Sequence, residues 1–141
     1  MPDTALDPDT MARALRRISR LYDEALAPCD LTTGQFSVLA ELLRAGDAPP
    51  GAGALAQQLQ MSRSTLERYL RELQWKGLAE TRAPVRGRRV RAFGVTAAGV
   101  LRAQEAARLW AAAERRLQDI HGARALLRLG EALESLAADP G

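Results

Sequence analysis

One cysteine and one histidine are all that the 141 residues contain of those two types. Cys29 alone cannot close an internal disulfide, and with His121 it cannot supply a Cys/His zinc set. Aromatic residues make up only 4% of the chain, too few for a typical β-sandwich core, while the abundance of Ala, Leu and Arg favours helices. No run of 18 apolar residues occurs. The start, Met1 to Asp9, lacks both the basic and the apolar parts of a signal peptide, so the expectation is a cytoplasmic protein with no membrane segment. A phosphate-binding glycine loop, a Ser-His-Asp order and a paired-carboxylate motif are also missing. We therefore expect no catalytic residues, no metal and no cofactor.

What is present is a chain long enough for one compact domain over 1–141, 47% hydrophobic and 26% charged. The net charge of +3 hides an uneven distribution. Between Ser62 and Arg91 nine basic residues face three acidic ones, a net +6, while the rest of the chain carries 11 basic and 14 acidic groups, a net −3. A cationic segment on a mildly acidic body suits a surface that meets a polyanion, although a solvated arginine face has the same composition.

Periodicity and capping signals divide the chain into helices and one hairpin. Helix 1 opens with Asp7 as N-cap and Pro8 at the first position, carries Met11, Leu15, Ile18, Tyr22 and Ala25 at helical spacing, and ends at Pro28. Thr32 starts helix 2, with Gln35 at the capping-box position and Leu31 placed to staple onto Phe36. A Gly-Pro loop leads to a short helix from Ala54 to Leu59. Ser62 then caps a longer helix, ended by Gly77, that turns Leu66, Leu70 and Leu73 inward. Leu78 to Ala83 and Val90 to Val95 read as two strands around a basic turn. Thr96 caps a fifth helix running to about Ile120, and Gly122 separates it from a last helix marked by Leu126, Leu129, Leu133 and Leu136.

A short helix, a tight turn and a second helix with a polar, cationic face form a helix-turn-helix pattern. The inward leucines hold the second helix to the body. Arg63, Ser64, Glu67, Arg68 and Arg71 then point outward to bases and phosphates of double-stranded DNA, where the planar arginine fork can meet two acceptors at once. Ser62, Ser64 and Thr65 at its N-terminus offer amides and hydroxyls to a phosphate. Arg86, Arg88 and Arg89 at the hairpin tip can reach the adjacent minor groove or backbone.

In this order the residues resemble the MarR (multiple antibiotic resistance regulator) family of bacterial transcription factors. The resemblance is carried by Leu31-Thr32, Gln35-Phe36 and Leu39, by Leu55-Ala56, by Ser62-Arg63-Ser64-Thr65 through Leu73, and by Gly77-Leu78, Arg88-Arg89, Val95-Thr96 and Gly99. It implies a mainly α fold with a small β-hairpin: a winged helix-turn-helix lobe over 31–96, flanked by dimerisation helices over 7–28 and 97–138. It further implies a homodimer, a palindromic operator and often release of the DNA by a small molecule or an oxidant. Two departures stand out: Gly87 lies where the family's wing usually has an acidic residue, and Gln60 lies where glycine is common in the turn. The second suggests an altered turn, because a non-glycine residue is strained at positive φ.

The outer helices add an independent argument for a partner, since Leu15, Ile18, Leu126, Leu129, Leu133 and Leu136 form stripes that must be buried somewhere. Arg16, Arg20 and Trp110 are candidates for holding an aromatic acid between those helices and the lobe. Trp75, Trp110, Tyr22 and Phe36 are expected to pack in the core. His121 suits a helix end. Cys29 is the candidate for a redox switch, but Asp30 beside it should raise the thiol pKa and no basic residue is near in sequence, so a structural thiol is expected. The competing function is a winged-helix module that binds protein rather than DNA.

Overall fold

The computed structural model describes residues 5–83 and 91–138. Its elements run α1 (Pro8–Leu26), a 3-10 turn (Ala27–Cys29), α2 (Thr33–Ala45), α3 (Ala52–Leu59), α4 (Arg63–Trp75), β1 (Ala79–Arg82), β2 (Ala92–Val95), α5 (Ala97–His121) and α6 (Ala123–Ala138). This is a mainly helical winged helix-turn-helix fold with one antiparallel hairpin.

The caps do what their side chains dictate. Asp7 accepts the Thr10 amide at 2.9 Å. Thr32 and Gln35 close a reciprocal capping box, each side chain accepting the other's backbone N–H. Ser62 and Thr96 cap α4 and α5 by accepting the backbone N–H of Thr65 and Gly99, without a reciprocal bond. Helix α3 starts two residues earlier than its leucine pattern predicts, because Gly51 serves as N-cap without a side-chain bond. Gln60 also departs from expectation: it enters the left-handed region at φ 52°, ψ 42° as the C-cap of α3. The turn therefore keeps its usual geometry and accepts the strain of a Cβ there.

The core lies beneath the helix-turn-helix. Leu39, Leu55, Leu66, Leu73 and Leu78 are each fully buried, joined by Leu26, Val38 and Leu70. Phe36, placed by the sequence as the partner of a staple, packs on the same cluster, and Met61 joins it. The hairpin pairs Ala79 with Val95 and Arg82 with Ala92, and a further bridge between Gly51 and Ala92 ties it to the start of α3. Strands of four residues replace the longer ones expected.

At the root of the hairpin the Thr96 hydroxyl donates to the Gly77 carbonyl at 2.6 Å, and its amide donates to the Leu78 carbonyl. Gly99 sits against that same carbonyl so closely that a Cβ would collide with it. Three separate sequence marks, Gly77-Leu78, Thr96 and Gly99, thus meet at one junction that fixes α5 to the lobe.

Candidate nucleic-acid interface

Helix α4 presents its inner face through Leu66, Leu70 and Leu73, and this burial determines what it can show to the outside. At about 100° per residue, Ser64, Arg68, Arg71 and Trp75 follow one another at spacings of four, three and four along the opposite face. All four are exposed. At the helix start the Ser62 hydroxyl donates to Thr65 Oγ1 at 2.8 Å and lies 3.3 Å from Ser64 Oγ, so the three hydroxyls expected at a phosphate are gathered in one place.

Arg63 Nε donates to Glu67 Oε1 at 3.2 Å, an exposed pair one turn apart. Arg68 is held more firmly. One of its terminal nitrogens donates to Glu72 Oε1 at 3.1 Å, and its guanidinium lies 4.6 Å from the centre of the Tyr69 ring. Tyr69 and Glu72 together keep the guanidinium firmly charged. Both supports are braced from α2. The Tyr69 ring packs on Gly34, where any Cβ would overlap it, and Glu72 Oε2 accepts the Gln35 amide at 2.8 Å. That bond, ahead of the bond from Arg68 and the positive charges of Arg68 and Lys76, holds the Glu72 carboxyl below its ordinary value. Lys76 closes the network through ion pairing with Asp30 at 3.2 Å.

Arg71 makes no ion pair among the described residues. Arg86, Arg88 and Arg89, assigned to the wing by sequence, lie outside the described residues. Trp75 corrects the expectation of core packing: it is 92% exposed at the end of the α4 stripe, because Leu66, Leu70 and Leu73 already occupy the inner face. The supports of Arg68 are not visible in the sequence. Gln35 reads there only as a capping residue, and nothing in the spacing reveals that its other end reaches 37 positions along the chain.

The candidate effector residues are only partly assembled. Arg16 and Arg20 line an open groove along α1 with Leu15, Ser19, Asp23 and Glu24. Trp110 does not line it: the indole stacks on Tyr22 at 3.9 Å between centroids and tilts against Phe36, packing on the core as its aromatic character alone suggests. Cys29 is buried and its thiol donates to the Leu26 carbonyl. Burial first, then Glu105, raises its pKa, against an opposing pull from Arg102. The direction agrees with the sequence argument, but the cause is burial and a distant helix rather than Asp30. His121 is the last residue of α5.

The profile of the IclR helix-turn-helix domain matches residues 36–83, from α2 through β1. Likeness to solved structures extends much further. The transcriptional repressor CouR, in a structure bound to a 23-mer DNA duplex, superposes with a TM-score of 0.84 at 26% identity, covering 94% of this chain and 92% of that one. A MarR-family transcriptional regulator from Rhodococcus sp. RHA1 covers 96% of this chain and 97% of its own at a TM-score of 0.79 and 19% identity. The chain has the fold of the MarR-family regulators. The MosR regulator of M. tuberculosis adds 29% identity over 93% of this chain and 97% of its own, with a TM-score of 0.71. The MarR likeness includes the outer helices, which the IclR match does not reach. No curated protein matches the sequence. Among the described residues, no helix is long and apolar enough to cross a membrane and no cluster of potential metal ligands occurs.

Proposed function

We propose that the protein is a cytoplasmic, homodimeric, sequence-specific DNA-binding regulator of transcription, a repressor that binds a palindromic operator and is released by a small molecule. The observation that carries this reading is the outer face of α4, where Arg68 is braced by Glu72 and Tyr69 while Arg71 is unpaired among the described residues. Arginines so displayed on the second helix of a helix-turn-helix suit the major groove. Residues 31–96 form the DNA-binding lobe in this reading. Ser62, Arg63, Ser64, Thr65, Glu67, Arg68 and Arg71 contact DNA, with the sequence-assigned Arg86, Arg88 and Arg89 adding wing contacts.

Dimerisation rests on the uncovered apolar stripes of α1 and α6. A twofold copy would set two recognition helices roughly 34 Å apart, one turn of DNA. The groove at Arg16 and Arg20 is the place for an anionic effector, which by a typical coupling of about 1–3 kcal/mol would weaken operator binding roughly 5- to 150-fold. The buried, poorly ionised Cys29 thiol disfavours the redox alternative.

Selection of bound sites from random DNA is expected to enrich a palindrome. On that site Arg68→Ala should cost about 1–3 kcal/mol and relax preference at one base position. Joint replacement of Arg88 and Arg89 should weaken all sequences more evenly and flatten the salt slope by about one unit for each phosphate no longer neutralised. No enrichment, with affinity insensitive to all three arginines, would favour a protein-binding module instead.

A further inference from the structure

We propose that Gln35, on α2, is a specificity-determining residue that acts through Glu72 to aim the Arg68 guanidinium at the base it reads. The proposal rests on the assignment of Arg68 to a base contact. An exposed Arg–Glu pair one helical turn apart is by itself weak, because both side chains are long and solvent-screened. Here the carboxylate is not free. One oxygen takes Arg68 and the other takes the Gln35 amide.

Gln35 is in turn fixed at its opposite end. It is 6% exposed, and its Oε1 accepts the Thr32 amide at 3.1 Å and faces Lys76 Nζ at 3.4 Å. Its orientation is thereby defined, and with it the position of Glu72. The chain of bonds ends on a single guanidinium nitrogen of Arg68, which has five N–H donors, so donors remain for the O6 and N7 of a guanine. Ordering the arginine before DNA arrives lowers the conformational entropy lost on reading. The same bonds keep the Glu72 carboxylate turned toward α2, where it does not meet a phosphate. Gln35 itself is covered by protein, so its influence on base preference is indirect and makes it a positioning residue.

The test uses Gln35→Glu, which keeps the acceptor needed by the capping box but replaces the donor facing Glu72 with a carboxylate. The double variant Gln35→Glu, Glu72→Gln exchanges donor and acceptor and restores both bonds. Equilibrium binding of the full-length protein is measured on the selected operator and on each single-base variant of it, with thermal melts of every protein. Arg68→Ala should lose discrimination at its base by about 5- to 150-fold. Gln35→Glu should lose about fivefold or more at the same position, with the salt slope unchanged, and the double variant should recover it. Full discrimination in Gln35→Glu overturns the proposal while leaving the Arg68 contact intact. A loss that the double variant does not recover also overturns it, marking Gln35 as merely structural. Unchanged discrimination in Arg68→Ala overturns the base contact and the positioning role together.

Discussion

Most leucines between residues 31 and 96 and most of those along α1 and α6 are treated in opposite ways by the fold, Leu43 and Leu26 being the clear exceptions. In the first region Leu39, Leu55, Leu66, Leu73 and Leu78 are completely covered by neighbours from the same chain. On the outer helices Leu15 is 57% exposed and Leu133 50%, and α6 has no buried residue. The buried positions of α5 are Gly99, Ala103, Ala106 and Ala113, small residues that let the helix approach the core closely, while Leu101 and Ile120 stay exposed. Closing one core and leaving a second apolar surface open is economical only if another surface covers the second. The comparison separates residues that hold the fold from residues left free for the proposed dimer contact.

The largest effect expected from breaking this contrast is on assembly. Replacing Leu129 and Leu133 together by Glu should give a monomer by sedimentation velocity and, with two half-sites no longer joined, weaken operator binding by about a hundredfold or more. An unchanged mass and affinity would show that this face is not the dimer surface. Within the lobe, Leu66→Ala should cost about 2–5 kcal/mol in urea unfolding, since it empties a closed core. Leu101→Ala, on an exposed position of α5, should stay within about 0.5 kcal/mol.

A smaller effect concerns Glu72, whose carboxyl is held below the ordinary 4.5, chiefly by Gln35. A carboxyl with a depressed native pKa binds fewer protons folded than unfolded. Its contribution is therefore full above about 4.5 and is lost as pH falls through the native value. Glu72→Gln should be less stable than the unaltered protein near neutrality, and urea midpoints should converge as pH falls below the ordinary 4.5 and through the lowered native value. A constant difference across that range would show that the carboxylate form contributes nothing. The smallest expected effect is none: mild peroxide should leave operator binding equal in the native protein and in Cys29→Ser, because the thiol is buried and its pKa raised. Loss of binding in the native protein alone, reversed by a thiol reductant, would identify a redox switch.

Much of the architecture is legible in the sequence because it depends on short-range signals. Thr32 with Gln35, Ser62 and Thr96 cap helices through atoms within three residues, and the spacing of Leu66, Leu70 and Leu73 states which side of α4 faces in. Gln60 defies its sequence expectation because a left-handed residue is disfavoured only on average, and the turn between α3 and α4 imposes it. Trp75 does so because apolar character alone does not reveal that the inner face is already full.

By itself the sequence determined the order of the elements, the inward face of α4 and the concentration of positive charge from Ser62 to Arg91, since each follows from local capping, periodicity or composition. Only the tertiary structure decided that Gln35 and Gly34 of α2 brace Glu72 and Tyr69, and through them Arg68. It also decided that Trp110 packs on Tyr22 rather than joining Arg16 and Arg20. The physical reason is the same in both cases: a side chain's partners across the core depend on how helices cross and how closely they approach, quantities that no spacing along one helix contains.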